Sequence, residues 1–335
     1  MDLSQTAPVC WVVTDGKAGM QSQCVGLAEA LGLAPVIKQV SLRAPWRQLS
    51  PYFRLGHAHA FSERSDPLTP PWPDLLIATG RHSIAASLYV QEQSRRAGKR
   101  TIAVQIQNPV LPPRNFDLVI VPQHDRLSGP NVIATLGALH RVTPELLKRE
   151  AETLAPQVAH LPRPYIGVLI GGANAAYRFG EDEMTRFAHL LVRAVDESGG
   201  SLLVTPSRRT GERNLALLRE ALGTRPAFIW DGTGSNPYFG MLGLADYLIV
   251  TSDSVNMVSE AVAAAKPVHV FDLPGGTAKF GRFHAALRAR ALAQPFDGTL
   301  KTATPVMPMD DMARAAEAVR AVMARAHGRT AIPGR

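Results

Sequence analysis

Short, continuous apolar runs, each followed by a stretch of helical periodicity, recur along this 335-residue chain in two successive sets. That arrangement limits the fold more than any single motif does. Val9–Thr14, Val36–Leu42, Leu75–Thr79, Thr101–Ile106, Leu118–Val121 and Val132–Leu136 read as strands of the first set. Cys24, Leu27, Ala28 and Leu31 repeat at i, i+3, i+4 and i+7, one face of a helix that stops at Gly32. A second helix is expected over Ser83–Arg96. Strands that are apolar at every position are buried on both faces, as in a parallel sheet whose crossover helices cover both sides. Arg43–Pro73, rich in proline and aromatic residues, interrupts the pattern as an irregular excursion.

The pattern restarts after a helix expected over Thr143–Leu154, with Thr143 as N-cap and Pro144 in the first helical position. Pro156–Pro164 holds three prolines and no strong period, so it is the expected linker. Strands follow at Tyr165–Ile170, Leu202–Thr205, Ala227–Trp230, Tyr247–Thr251 and Val268–Phe271. Helices are expected over Glu181–Glu197, Glu212–Leu222, Val255–Ala264 and Asp310–Ala326. The reading is α/β, with Rossmann-like domains at residues 1–155 and 164–305 and a terminal helical segment at 306–335. Two such domains in tandem place a cleft between them, and open α/β sheets bind ligands at their strand C-terminal ends.

Composition excludes several classes. Apolar residues make up 46% and charged residues 19%, ordinary for a globular protein. Lys plus Arg number 36 and Asp plus Glu 28, a net charge of +8 that suits a nucleotide phosphate or an acidic membrane face. No run approaches the roughly 18 apolar residues of a membrane helix. Met1–Val13 carries Asp2 and no basic region, so no cleaved signal peptide is expected. The two cysteines, Cys10 and Cys24, build neither a disulfide scaffold nor a cysteine zinc site. A reduced, cytoplasmic protein is the expectation.

Polar residues gather at the expected strand ends. Thr251-Ser252-Asp253-Ser254 follows a strand and opens a helix, where free N–H groups and the positive helix end attract an anion. A single cap explains one of these residues, but three in succession with Asn256 exceed what a cap needs. Glu260 lies one to two turns further in, where a carboxylate could accept both hydroxyls of a ribose whose phosphates sit on the helix end. Gly171-Gly172 lets the backbone turn and approach a ligand, and Arg208 and Arg209 offer forks for phosphate. In the first half, Asp15 and Lys17 lie in Thr14-Asp15-Gly16-Lys17-Ala18-Gly19, which has neither Walker nor dinucleotide spacing. Arg81-His82, Gln107 and His124-Asp125 end other strands, and a histidine such as His82 could act near neutral pH. Four polar loops in one half suggest a substrate surface.

These motifs together resemble one family. Asp15-Gly16-Lys17-Ala18-Gly19 with Gln23 and Gly26-Leu27-Ala28, Ala78-Thr79-Gly80-Arg81, and Phe116-Asp117-Leu118-Val119 with Pro122 and His124-Asp125 carry the likeness. Gly171-Gly172, Ser207-Arg208-Arg209-Thr210 and Thr251-Ser252-Asp253-Ser254 with Asn256-Met257 and Glu260 complete it. The family is the "elongated mitochondria" type, named for plant mitochondrial-fission proteins, and the likeness runs from about Val9 to Arg290. Sugar-nucleotide epimerase chemistry of the dinucleotide type is not expected, since no tyrosine is followed by lysine three or four residues on.

The second half also resembles the donor domain of glycosyltransferases built from two facing Rossmann-like domains, the GT-B architecture. That resemblance implies a nucleotide-sugar donor on Ser252, Ser254, Asn256, Glu260, Arg208, Arg209 and the Gly171-Gly172 loop. It implies a terminal helix crossing back to the first domain. The leaving diphosphate would be stabilised by helix dipole and arginine, with no metal or cofactor. Asp15 is the first choice of general base, with His82 and His124 next. Lys17, Arg81, Gln107 and Asp125 fall on the side of an unidentified, envelope-related acceptor. The rival reading is a non-enzymatic scaffold of the same fold that recruits partners to a membrane. A peripheral membrane contact through the basic surface is compatible with either, and nucleic acid is not an expected partner.

Overall fold

The computed structural model describes residues 7–53, 56–302 and 310–330. The elements of the first half, in chain order, are β1 (Cys10–Thr14), α1 (Ala18–Ala30), β2 (Val36–Gln39), α2 (Trp46–Leu49), β3 (Leu75–Thr79), α3 (Arg81–Arg96), β4 (Ile102–Ile106), β5 (Leu118–Pro122) and β6 (Val132–Thr135). The second half runs α4 (Pro144–Val158), β7 (Tyr165–Ile170), α5 (Glu181–Ser198), β8 (Ser201–Pro206), α6 (Glu212–Leu222), β9 (Ala227–Ile229), α7 (Tyr238–Leu244), β10 (Tyr247–Thr251), α8 (Val255–Ala263), β11 (Val268–Phe271), α9 (Ala278–Arg288) and β12 (Gln294–Pro295). Helix α10 (Asp311–Thr330) ends the described chain.

The chain forms two units, residues 1–141 with 310–335, and residues 142–309. Each is built on a six-stranded sheet, ordered β2-β1-β3-β4-β5-β6 in unit 1 and β12-β11-β10-β7-β8-β9 in unit 2. Every neighbouring pair is parallel. β1, β3, β4, β5 and β7 are buried at every residue, which is why they read as unbroken apolar runs. The fold is therefore α/β with a Rossmann-like sheet in each unit.

In unit 1, one sheet face packs Val12, Leu75, Ile77, Val104 and Ile120 against Leu27 of α1 and Ala315, Ala316 and Val319 of α10. α10 is tied down at its start, where Asp311 accepts the Leu136 N–H at 2.6 Å. Burial raises the Asp311 carboxyl above its ordinary range. The expected division at residue 305/306 lies outside the described residues.

The division between units falls at Arg141/Val142, ahead of α4, whereas the sequence suggested Pro156–Pro164. Pro156 lies inside α4, and that helix packs within unit 2 against α7. Gly240 and Gly243 allow the approach: a Cβ on Gly240 would lie 2.7 Å from the Glu150 carbonyl, and one on Gly243 2.5 Å from that of Leu147. Thr143 caps α4 by accepting the Leu146 N–H at 3.1 Å, and Pro144 opens it. The core of unit 2 includes Phe187 of α5 stacked on Phe271 of β11, ring centroids 4.4 Å apart.

Candidate functional site

In unit 2 the chain builds β8 and β9 on one side of β7, then returns to build β10, β11 and β12 on the other. The order reverses between β7 and β10, the position at which open α/β sheets form a ligand crevice. The loops that end those two strands are Gly171–Asn174 and Ser252–Ser254.

These loops are joined by buried polar contacts. The Gly171 N–H donates to Thr251 Oγ1 at 2.8 Å, and the Gly172 N–H to Asp253 Oδ2 at 3.1 Å. The hydroxyls of Ser207 and Thr210, from the loop after β8, donate to the Gly171 carbonyl at 2.8 and 2.6 Å. Arg209 donates from Nη2 to Asp253 Oδ2 at 2.9 Å and from Nη1 to the Gly172 carbonyl at 2.8 Å. Asp253, fully buried at its carboxylate, also accepts the Thr251 hydroxyl at 2.7 Å. Three strand-end loops thus converge on one carboxylate.

Several residues singled out from sequence are accounted for here by the protein's own bonds. The two Arg209 nitrogens Nη1 and Nη2, expected to grip phosphate, hold the loops together. The Ser252 hydroxyl accepts the Leu273 N–H at 3.0 Å, and the Ser252 carbonyl faces His284 Nε2 at 2.9 Å, tying this loop to the segment after β11 and to α9. Ser254 Oγ accepts the Met257 N–H at 3.3 Å and caps α8. Arg208 is exposed and Asn256 half-buried at the same edge.

Glu260 lies on α8, buried, with Oε2 accepting the Tyr238 hydroxyl at 2.6 Å. Burial and the adjacent carboxylate push the Tyr238 phenol well above its ordinary range, so it stays a donor. Sequence reasoning did not select Asp253 or Tyr238. Asp253 stood in view within the Thr251–Ser254 motif; Tyr238 is 22 residues from Glu260 and only the fold joins them.

The glycines have a steric reason. A Cβ on Gly171 would lie 2.1 Å from Asp253 Oδ1, and one on Gly172 2.2 Å from the Arg209 carbonyl oxygen. Gly172→Ala is expected to destabilise the protein by about 1–3 kcal/mol, the usual cost of overpacking. A thermal melt checks this, at about 2–4 °C per kcal/mol for a unit of this size.

In unit 1 the strand order reverses between β1 and β3. There the structure brings together Asp15, Lys17, Arg81 and His82. Lys17 Nζ donates to Asp15 Oδ2 at 2.6 Å, and a Cβ on Gly80 would lie 3.9 Å from that same oxygen. Burial lowers the His82 pKa; Asp15 opposes this, while Lys17 and Arg81 add to it. Arg81 donates through Nη2 to the Gln48 carbonyl at 2.9 Å and through Nε to that of Ser50, anchoring the excursion. Gln107 and Asp125 follow β4 and β5, one and two strands beyond β3. Gln107 adopts a left-handed backbone, φ 69°, and its N–H donates to the Ile120 carbonyl at 2.8 Å. His124 is buried in the single turn Gln123–Asp125. Among the described residues no cluster of His, Cys, Asp and Glu could hold a metal ion.

The family model for mitochondrial fission ELM1 matches residues 18–323. The chain belongs to the mitochondrial fission ELM1 family. Mitochondrial fission protein ELM1 of Arabidopsis thaliana is 30% identical over 278 residues, 75% of this chain and 64% of the plant protein. The chain therefore spans less than two thirds of that relative's length. A Rickettsia prowazekii protein described as uncharacterized is 25% identical over 352 residues, 92% of this chain and 97% of its own. Among solved structures, UDP-GlcNAc 2-epimerase from Methanocaldococcus jannaschii superposes with a TM-score of 0.54 at 9% identity, over 94% of this chain and 99% of that one. S. aureus MnaA, in its co-structure with UDP, gives 0.52 at 12% identity, over 93% and 96%. At such identities the likeness is one of fold, and this ELM1-family chain has a GT-B-like α/β architecture. No helix among the described residues is long and apolar enough to cross a membrane.

Proposed function

We propose that unit 2 binds a nucleotide-sugar and that the protein transfers the sugar to an acceptor hydroxyl. The observation that carries this reading is the path along α8 at the strand-order reversal, from the Ser254 cap to the buried carboxylate of Glu260. Six residues of helix span roughly 9 Å at about 1.5 Å each, a fitting separation between a diphosphate and the ribose of one nucleotide. The N-terminal end of α8 and exposed Arg208 attract the diphosphate. Glu260, oriented by the Tyr238 hydroxyl, accepts from the ribose. Two neighbours of like fold are described as bound to UDP or acting on UDP-GlcNAc, which supports a uridine nucleotide as the first ligand to try.

In the reaction, the acceptor oxygen bonds to the anomeric carbon, the bond from that carbon to the diphosphate oxygen breaks, and the acceptor proton passes to a base. We assign the base to Asp15 in unit 1 and an auxiliary role to His82. Lys17 and Arg81 belong to the acceptor side, with Gln107 and Asp125 further along the same sheet edge. His124, being buried, ranks below them.

Calorimetry with UDP and GDP tests the site. Glu260→Ala should weaken binding by about 1–3 kcal/mol, the range for a hydrogen bond to a charged group. Tyr238→Phe should produce a smaller loss, since it removes only the orienting donor. Absence of binding of either nucleotide to the unaltered protein would favour the non-enzymatic scaffold. Conversion of UDP-GlcNAc to an epimer without any acceptor would replace transfer with epimerisation at the same site.

A further inference from the structure

At the strand-order reversal of unit 1, α1 and α3 begin at the C-terminal ends of the neighbouring strands β1 and β3. Neither Lys17 nor Gly80, their N-cap residues, supplies a side-chain cap, and neither helix has an acidic residue in its first turn. The Ser83 hydroxyl, in the first turn of α3, donates instead to the Thr79 and Gly80 carbonyls, each at 2.7 Å. Two positive helix ends thus meet at one crevice. Asp15 stands beside them, with its Oδ2 on Lys17 Nζ and its Oδ1 accepting the Lys17 N–H at 3.4 Å.

Beneath these helix ends lies an unsatisfied group. Thr79, the last residue of β3, is fully buried, yet its hydroxyl oxygen has no hydrogen-bond partner among the described residues. Leu75 and Ile77 of the same strand cluster with Cys24 and Leu27 of α1. The two-residue period of a strand turns Thr79 to that same face, at the end where α1 starts. A buried hydroxyl without a partner destabilises the fold unless a ligand bonds to it. Cations stand at the same edge. Lys17 and Arg47 are exposed, and the charges of Asp15, Lys17, Arg81 and Arg47 all reach His82. Arg81, bonded to the Gln48 and Ser50 carbonyls, fastens α2 and with it Arg47 beside the crevice.

We propose that this crevice of unit 1 binds a phosphate group carried by the acceptor, seated on the first turns of α1 and α3, with Lys17 and Arg47 on its oxygens and the Thr79 hydroxyl donating from below. The inference rests on the transfer reading above and narrows the acceptor to a phosphate ester that also bears the hydroxyl to be glycosylated. Phosphate fits better than carboxylate, because its oxygens meet donors from two helix ends and two side chains at once. Seating it also changes Asp15. The Lys17–Asp15 pair has an exposed lysine and holds weakly. The phosphate draws Lys17 away and leaves the Asp15 carboxylate free to accept the proton of the acceptor hydroxyl. The base is thus engaged by Lys17 until the acceptor arrives.

Nuclear magnetic resonance of the His82 ring in the full chain, assigned by comparison with His82→Gln, tests it. Inorganic phosphate and methyl phosphate should both shift this signal to saturation, while chloride at equal ionic strength should not. Lys17→Ala should weaken phosphate binding about tenfold and Thr79→Val about threefold. Thr79→Val should not lower the melting temperature, since it removes a hydroxyl that has no partner in the free protein. Asp15→Asn should tighten phosphate binding about threefold, because Lys17 is released and a negative charge is gone. Absence of a saturable shift, or unchanged affinity in both Lys17→Ala and Thr79→Val, would overturn the proposal. Exclusion of methyl phosphate while inorganic phosphate binds would make this a site for the free ion and overturn its assignment to the acceptor. UDP binding in unit 2 is read separately by calorimetry, so failure of the donor site and failure of this one are distinct results.

Discussion

Asp253→Ala should destabilise the protein by about 3 kcal/mol, the low end of the range for breaking a buried ion pair. Removing the carboxylate deprives the Gly172 N–H, the Thr251 hydroxyl and Arg209 of one shared acceptor. The first two donors are buried, and a buried donor left without a partner carries its full desolvation penalty. Arg209 is 43% exposed, so water replaces part of its bonding, which places the loss at the low end. Asp253→Asn keeps one carbonyl oxygen in place and should cost less, about 1–2 kcal/mol. Differential scanning calorimetry on both variants is the measurement. An unchanged melting temperature in Asp253→Ala would mean that the three loops stand without this carboxylate. Nucleotide affinity should fall with stability, because the loops after β7, β8 and β10 stand at the edge of the nucleotide site proposed above.

Asp15→Asn should leave the melting temperature and nucleotide binding unchanged while lowering transfer about a hundred- to ten-thousand-fold, the usual contribution of a positioned general base. The substitution preserves shape and removes the proton acceptor. Lys17 loses its ionic partner, but that pair has a 67% exposed lysine and contributes little to stability. Single-turnover measurement with a donor found by calorimetry separates the step from binding. Turnover at the unaltered rate would remove Asp15 from the mechanism and direct attention to His82, whose lowered pKa keeps it a neutral base at pH 7.

Much of the fold was legible because doubly covered parallel strands are apolar at every position, as in Leu75–Thr79 and Tyr165–Ile170. Helix α7 was not legible. It follows Asn236-Pro237 and contains Gly240 and Gly243, residues of low helix propensity that serve the close approach to α4. Helix α9 was hidden in the same way, behind Gly275-Gly276 and with Gly281 inside it. The boundary misled because prolines were read as a linker, although Pro156 sits in the last turn of a helix packed in unit 2.

At the candidate site, spacing along one helix was readable and pairing across elements was not. Ser254 and Glu260 stand in one local segment, so their separation follows from helix geometry. The orienting Tyr238, and the convergence of Gly172, Thr251 and Arg209 on Asp253, arise from strand order. A sequence motif of small polar residues cannot show which of them turns inward. Here Ser252 and Asp253 do, leaving Ser254 at the helix end.

Because α10 completes the apolar face of unit 1 from the far end of the chain, that unit is discontinuous, while unit 2 is one uninterrupted segment inserted into it. On the ribosome, residues 142–309 emerge with every strand of their sheet in hand. The first unit must wait, with Leu27, Leu75 and Val104 partly uncovered, until the last helix is made. Unit 2 therefore has all of its strands before the helix that covers one sheet face of unit 1 is translated, so the unit begun first is the later one to bury its apolar face.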